Sequence, residues 1–154
     1  MAIELTFSFV LEAPPDVVWE RAGRVSGIND ELWPLARMTC PAHLDRIAAP
    51  PHAVGQPPVH SWMLLFGVVP IERRSLQFDL LEEGRFVDCS TGWLNGRWRH
   101  DRSVVGREDG STLLVDKLVL EPRVRLMSGL VRAAVTWTFR RRHRRLGRRL
   151  RTTR

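Results

Sequence analysis

A histidine, an arginine and an aspartate are the residues of this sequence best suited to chemistry. His100 and Arg102 are two residues apart in one extended segment, and Asp116 lies in the next. Side chains two residues apart share a face of a strand. An imidazole beside a paired arginine and carboxylate could act as an acid or a base, as a cyclase, dehydrase or aldolase-type reaction requires. The three groups could also orient a carboxyl or hydroxyl group of a ligand, or form a structural network, because a buried arginine needs a partner.

The register of one hairpin decides whether these side chains meet. If Glu108-Asp109-Gly110 is a three-residue loop with its glycine in the left-handed conformation, Arg102 faces Asp116. A two-residue Asp-Gly turn would shift the register by one and set Arg102 opposite Lys117. Like charges directly opposite each other cost about 0.2–1 kcal/mol. The sequence therefore predicts the three-residue loop. The residues that this register places on one face are Trp98, His100, Arg102, Asp116 and Leu118.

The last segment, Pro122–Leu150, is interpreted as one long helix with two unlike halves. Apolar residues cover well over half of the helix circumference between Leu126 and Phe139, and a helix of that kind is expected to be enclosed. Beyond Phe139 most residues are arginine. We therefore predict that the rest of the protein grips the first half and that the second half projects, with one edge against the body. The residues of that edge are His143, Leu146 and Leu150.

The net charge of +7 is local to the end of this helix. Residues 140–154 hold nine arginines and no acid, so the rest of the chain has a net charge of −2. Such a basic end could hold the phosphates of nucleic acid or an anionic membrane surface. It has no interleaved aromatic residue, which favours a solvated helix end over nucleic-acid binding. An anionic membrane at Arg140–Arg154 is kept as an alternative. The preference for arginine over lysine is typical of a GC-rich bacterial genome.

Length and composition indicate an ordinary globular chain, and we expect one domain over residues 1–154. Hydrophobic residues make up 44% and charged residues 27% of the sequence, as in typical globular domains. No signal peptide is visible, and no apolar run reaches the roughly 18–20 residues of a membrane span. Cys40 and Cys89 lack metal or redox spacing, so we expect a reduced, cytoplasmic protein with no cofactor and no metal.

The remaining segments predict one strand, two short helices and then a series of strands. Ile3–Leu11 alternates between apolar and polar residues, as a half-buried strand does. Pro14-Pro15-Asp16 fits the entry to the first short helix. Turn signals lie at Glu83-Gly84 and Asn95-Gly96. The predicted later strands are Leu44–Ile47, Ser61–Phe66, Glu72–Leu81, Arg85–Thr91, Arg97–Val105 and Thr112–Glu121.

This order of elements resembles the START-like (SRPBCC) superfamily, in its polyketide cyclase/dehydrase and lipid-transport branch. The likeness covers nearly the whole chain and includes the helix entry Ala13–Trp19, the stretch Trp98–Arg102 and the ending Phe139–Leu146. The resemblance implies an α+β helix-grip fold. In that fold a curved antiparallel sheet of about six or seven strands wraps the long C-terminal helix, with two short helices after the first strand. It also implies an apolar cavity between the sheet and the helix.

A cavity of this kind would bind a small apolar or amphipathic molecule, since ligand pockets are mostly apolar with a few placed polar groups. The same residues could instead fill a core. The expected ligand-binding residues are Trp62, Leu64, Phe66, Leu76, Phe78, Leu80, Trp98, His100, Arg102, Asp116, Leu118, Val131 and Val135.

Three other hypotheses stay open at this point, and no catalytic residue is assigned. One is a cyclase- or dehydrase-type enzyme that uses His100 with Arg102 and Asp116. Another is a lipid carrier that meets an anionic membrane through its arginine-rich end. The strand Ser61–Phe66 is apolar on both faces, which hints at a covered outer face and a homodimer.

Overall fold

The computed structural model describes residues 2–41, 45–47, 54–55 and 57–152. The elements follow the order that the sequence pattern indicates, with one strand, two short helices, a series of strands and one long helix at the end. The elements are β1 (Ile3–Leu11), α1 (Pro15–Ala22), α2 (Val25–Leu32), β2 (Ala36–Met38), β3 (Val59–Leu65), β4 (Val69–Leu76), β5 (Phe78–Glu82), β6 (Arg85–Gly92), β7 (Asn95–Gly106), β8 (Thr112–Pro122), a 3-10 helix (Arg125–Met127) and α3 (Ser128–Thr152).

The strands form one antiparallel sheet that curls around α3. Their order is β1-β8-β7-β6-β4-β3-β2, and β5 pairs with β6 beside this path. The α+β helix-grip architecture is therefore confirmed, with seven strands along the main path. Within the described part of the chain, no helix is both long enough and apolar enough to cross a membrane.

The predicted hairpin register between β7 and β8 is confirmed. Arg102 pairs with Asp116 and Asp101 with Lys117. Gly110 has a φ of 77°, the left-handed conformation that the three-residue loop requires. The Arg107 backbone N–H donates to the Ser111 carbonyl at 2.9 Å and closes the loop.

The long helix begins later than predicted, and the roles of its two halves are the reverse of those predicted. β8 runs through Pro122, and α3 starts only at Ser128. The first half lies at the surface, where Leu130 is 65% exposed. The second half is the gripped part, because a seam of side chains spaced by three or four residues is buried against the rest of the protein. That seam consists of Phe139, Arg142, His143, Leu146 and Leu150.

The arginine-rich end is therefore only partly a solvated surface. Arg142 is buried. The Arg141 guanidinium donates to the Trp33 carbonyl at 3.0 Å, and Arg145 donates to the Asp30 carbonyl at 2.5 Å, so both bind the C-terminal part of α2. The prediction that His143, Leu146 and Leu150 pack against the body is confirmed.

Several strand boundaries differ from the prediction, and β2 was not predicted. The segment predicted as one strand from Glu72 to Leu81 is divided at Gln77 into β4 and β5. The turn expected at Asn95-Gly96 lies two residues earlier, because Asn95 already belongs to β7 and pairs with Pro122. For the strand predicted at Leu44–Ile47, residue 44 lies outside the described residues, and Arg46 forms a single bridge with Arg24.

The two short helices approach each other at Gly27, which predicts a strong response to a single methyl group. A Cβ atom built on Gly27 would lie 1.9 Å from the Arg21 carbonyl oxygen of α1. The backbone of α1 must shift to accommodate the added methyl group, which costs more energy than moving a flexible side chain. Gly27→Ala should therefore lower the free energy of unfolding by about 1–3 kcal/mol.

Urea unfolding measures this effect, and Gly129→Ala is the matched control. Gly129 lies in α3 with nothing within 4 Å of its built Cβ. There the alanine should be neutral or should stabilise the helix by about 0.5–1 kcal/mol. Equal stability of the two variants would contradict the close approach of α1 and α2.

Candidate functional site

A cavity of about 400 Å³ lies between the sheet, α2 and the first half of α3. Its wall is mainly apolar and includes Phe78 and Phe86 from the sheet, Ile28 and Leu32 from α2, and Phe139 from α3. The first half of α3 covers this cavity, and its side chains Val131 and Val135 pack against the core cluster of β1 and β8. A rim of exposed apolar residues surrounds its mouth: Ile71, Trp93, Leu94, Val124 and Met127.

Six of the residues predicted for the cavity wall do line it. β4 and β5 contribute an apolar pair, β7 contributes an aromatic residue and an imidazole, and α3 contributes two valines. These residues are Leu76, Phe78, Trp98, His100, Val131 and Val135. Together they bring the sheet and the helix to opposite sides of one space.

The predicted face of β3 was wrong. Met63 lines the cavity, whereas the neighbouring Trp62 packs edge-on against Trp93 with ring centroids 5.1 Å apart. Leu64 and Phe66 are likewise absent from the cavity wall, and Phe66 is 58% exposed after the end of the strand. Both faces of this segment are apolar, so alternation alone could not choose the inward one.

Leu80 is also outside the cavity wall, because a bulge changes the facing of β5. Phe78 pairs with Asp88, and Leu80 pairs with Val87, so one extra residue stands between two pairs. A bulge of one residue moves the following side chains to the other face. Leu81 accordingly packs against the core beside the cavity.

Arg102, Asp116 and Leu118 lie behind the wall rather than on it. All three are almost fully buried, and none of them lines the cavity. Asp116 accepts hydrogen bonds from His100 Nε2 at 2.7 Å and from Arg102 Nε at 2.7 Å. Of the predicted trio, only His100 reaches the cavity. These contacts form the structural network that the sequence suggested as one alternative for the three residues.

Three residues that sequence reasoning did not assign complete this network. His143 Nε2 lies 2.5 Å from the second oxygen of Asp116. Glu31 accepts from two guanidinium nitrogens of Arg102 at 3.0 and 3.1 Å. It also accepts from Arg142 Nε at 3.0 Å. The network therefore joins α2, β7, β8 and α3.

The ionisation of the network follows from burial and from its guanidinium groups. Burial would raise the pKa of Asp116, but the charge of Arg102 and the hydrogen bonds from the two imidazoles hold it well below its usual value. Glu31 behaves in the same way, since Arg102 and Arg142 outweigh burial and lower its pKa. Burial lowers the pKa of His100 despite its hydrogen bond to Asp116.

The sheet side of the cavity carries a second cluster of polar side chains, where β4, β6 and β7 lie side by side. Arg74, Asp88 and Asn95 are each about 6% exposed, and they line the cavity with Trp98. The Arg74 guanidinium lies over the Trp98 ring, 4.2 Å from its centroid. Ser90 Oγ donates to one oxygen of Asp88 at 3.4 Å.

Each of these four side chains holds a buried polar atom with no hydrogen-bond partner among the described residues. The atoms are Arg74 Nη2, Asp88 Oδ1, Asn95 Oδ1 and Trp98 Nε1. Buried polar atoms without partners are rare in proteins. Arg142 Nη2 on the helix side is a related case: it lies 2.9 Å from Glu31 but is not aligned for a hydrogen bond.

Burial raises the pKa of Asp88 to about 6, although the charge of Arg74 and the hydrogen bond from Ser90 oppose this. A carboxyl group with such a pKa can change its protonation state near neutral pH. Asp88 was not assigned to a site in the sequence analysis. The signal that could have found it is its pairing with His100 across the β6–β7 hairpin.

A family profile matches residues 9–150 of this sequence, under the description "Domain of unknown function (DUF8410)". The chain belongs to this family. Comparison with curated proteins gives no match.

Solved structures with the same architecture cover almost the whole DUF8410 chain. The Zhui aromatase/cyclase from a Streptomyces species has a TM-score of 0.73 at 14% identity, over 98% of this chain and 94% of its own. A START superfamily protein from Mycobacterium smegmatis has a TM-score of 0.63 at 13% identity, over 98% and 99% of the two chains. At these identities the likeness shows the START/SRPBCC-like fold.

Proposed function

We infer that this DUF8410 protein binds a small apolar or amphipathic molecule in the cavity between the sheet and α3. The observation that carries this proposal is an apolar cavity of about 400 Å³ whose buried polar atoms lack partners in the described protein. Small-molecule sites typically have roughly 300–1,000 Å³ of space, with apolar walls and few polar groups. A packed core would leave neither the space nor the unpartnered atoms.

The cavity geometry does not favour the cyclase or dehydrase that would use His100 with Arg102 and Asp116. A general acid or base must come within hydrogen-bond reach of the reacting atom. Arg102 and Asp116 have no surface on the cavity, and His100, which does reach it, has its Nε2 engaged on Asp116. A binding protein therefore remains the function that these contacts support best.

Filling the cavity tests the proposal, and α3 offers two neighbouring alanines for this purpose. Ala134 lines the cavity, while Ala133 lies in an outer groove beside Arg132 and Trp137. N-phenyl-1-naphthylamine is an uncharged apolar fluorophore and serves as the probe. We expect saturable one-to-one binding to the wild-type protein, which Ala134→Trp should weaken by about tenfold or more, equivalent to about 1.4 kcal/mol.

Ala133→Trp is the matched control, because it adds the same side chain to the same helix outside the cavity. It should leave the affinity for the probe within about twofold of the wild-type value. Fluorescence titration and circular dichroism on all three proteins separate lost binding from lost folding. Absence of saturable binding to the wild-type protein, or equal weakening by both tryptophans, would refute cavity binding.

A further inference from the structure

The unpartnered atoms on the sheet side of the cavity have a chemical character that restricts the ligand. Arg74 Nη2 and Trp98 Nε1 are donors, and both belong to side chains stacked on each other at 4.2 Å. Asp88 Oδ1 and Asn95 Oδ1 are acceptors. A ligand that satisfies this wall must therefore offer both an acceptor and a donor.

The placement of these side chains makes them one site rather than scattered atoms. Asp88 pairs with His100 and Ser90 pairs with Trp98, so the inward positions of β6 and β7 are adjacent. Arg74 of β4 pairs with Gly92 of β6, which continues the same row. Glycine at that position leaves room, because a Cβ there would lie 2.5 Å from Glu72 Oε1.

The buried charges beside Asp88 select against an anionic group at that position. Glu72 lies 3.7 Å from Arg74 and balances it. On the other side, the carboxylates of Glu31 and Asp116 balance the guanidiniums of Arg102 and Arg142. Arg74 therefore faces two buried carboxylates, Glu72 and Asp88. The other guanidinium at this end of the cavity, Arg123, is exposed to solvent. A ligand carboxylate beside Asp88 would meet repulsion, whereas a hydroxyl group could donate to Asp88.

We propose that this wall is a subsite for an uncharged ligand that carries a hydroxyl group and a separate acceptor oxygen such as a ketone. The hydroxyl donates to the Asp88 carboxylate, and the ketone oxygen accepts from Arg74 Nη2 and Trp98 Nε1. The apolar remainder of the ligand occupies the space toward α3. This inference rests on the proposed cavity binding and names the chemical class of its ligand.

Displacement of N-phenyl-1-naphthylamine by three matched compounds tests the subsite. The compounds are 3-hydroxyacetophenone, acetophenone and 3-hydroxybenzoate. Acetophenone lacks the hydroxyl group, and 3-hydroxybenzoate has a charged carboxylate in place of the ketone. At neutral pH we expect the hydroxyketone to bind about tenfold or more tightly than acetophenone, because hydrogen bonds to charged groups are strong. It should also bind more tightly than the carboxylate.

Two variants test the two halves of the subsite separately. Asp88→Leu removes the acceptor and should reduce 3-hydroxyacetophenone to the affinity of acetophenone. Trp98→Phe keeps a ring under Arg74 and removes the indole donor, so it should weaken both ketones by a similar factor. Circular dichroism shows whether both variants fold, and each displacement is referred to the fluorophore affinity measured for that same variant.

Failure of the subsite is distinguishable from failure of the cavity proposal. If the fluorophore binds but 3-hydroxyacetophenone and acetophenone bind equally well, the subsite is refuted and the cavity is not. Tightest binding by 3-hydroxybenzoate would also refute it, because the wall would then prefer an anion. An unchanged hydroxyketone preference in Asp88→Leu would show that the hydroxyl lies elsewhere.

Discussion

Replacing Arg102 by methionine should lower the free energy of unfolding by about 3–5 kcal/mol at neutral pH. Arg102 is fully buried and forms ion pairs with Glu31 at 3.0 Å and with Asp116 at 2.7 Å. Methionine fills similar space but leaves two carboxylates in the interior without their common cation. Since a domain of this size is stable by only about 5–15 kcal/mol, this loss is a large part of the total.

Arg85→Met is the matched control for this experiment. Arg85 also binds an aspartate through two guanidinium nitrogens, which donate to Asp101 at 3.1 and 2.8 Å. Its side chain is 47% exposed, however, so water screens the pair. Loss of such a surface pair should cost less than about 1 kcal/mol. Urea unfolding of both variants, followed by tryptophan fluorescence, measures the difference.

A third variant separates buried charge from lost packing. Combining Arg102→Met with Asp116→Asn removes the carboxylate that the methionine leaves without a cation, and keeps Glu31 paired with Arg142. The double variant should be more stable than Arg102→Met alone, because no uncompensated carboxylate remains opposite position 102. If Arg102→Met costs no more than Arg85→Met, or if the double variant is the least stable of all, buried charge compensation does not explain the stability of this network.

The pairing inside this network was partly predictable from the sequence. The loop Glu108-Asp109-Gly110 and the charge of Lys117 together favour one register, and that register places Arg102 opposite Asp116. Glu31, by contrast, is 71 residues away from Arg102 in the chain. No local pattern reports a contact at that separation, because it depends on how α2 packs against the rest of the protein.

The roles of the two halves of α3 could not be deduced from their apolar content. Between Leu126 and Phe139 the many apolar residues suggested an enclosed helix. The structure instead places this half between a cavity and the surface, where Leu130 and Trp137 are exposed. The seam that anchors α3 includes two polar side chains, His143 and Arg142, which have buried carboxylate partners. Counting apolar residues overlooks anchors of this kind.

The polar wall of the cavity was not predicted, and the turn expected at Asn95-Gly96 could not have located it. A two-residue turn there would pair Asp88 with Ser103, on the face away from His100. The observed turn pairs Asp88 with His100 instead. A register difference of an odd number of residues exchanges the two faces of a strand. Placing Asp88 in the cavity therefore required the true position of this turn.

Neutralising Asp88 should stabilise the protein above about pH 6 and lose that effect in acid. The pKa of Asp88 is raised by burial to about 6, against an ordinary value of 3.8. The folded state therefore holds this proton more tightly than the unfolded state, and ionisation of Asp88 destabilises the fold as the pH rises through this range. The difference of about two pKa units corresponds to about 3 kcal/mol. Asp88→Asn removes the ionisation and should show a gain of up to that size at pH 7, but almost none near pH 4.

The measurement is the difference in urea unfolding between Asp88→Asn and the wild-type protein at several pH values. Other carboxylates that titrate in this range affect both proteins and cancel in the difference. Asp101→Asn is a control of opposite sign, because the hydrogen bond from Arg85 lowers the pKa of Asp101. That variant should be less stable than wild type at neutral pH, and its deficit should shrink as the pH falls. A stability difference for Asp88→Asn that stays constant from about pH 4 to pH 7 would mean that this carboxyl group is not the buried titrating group of the cavity wall.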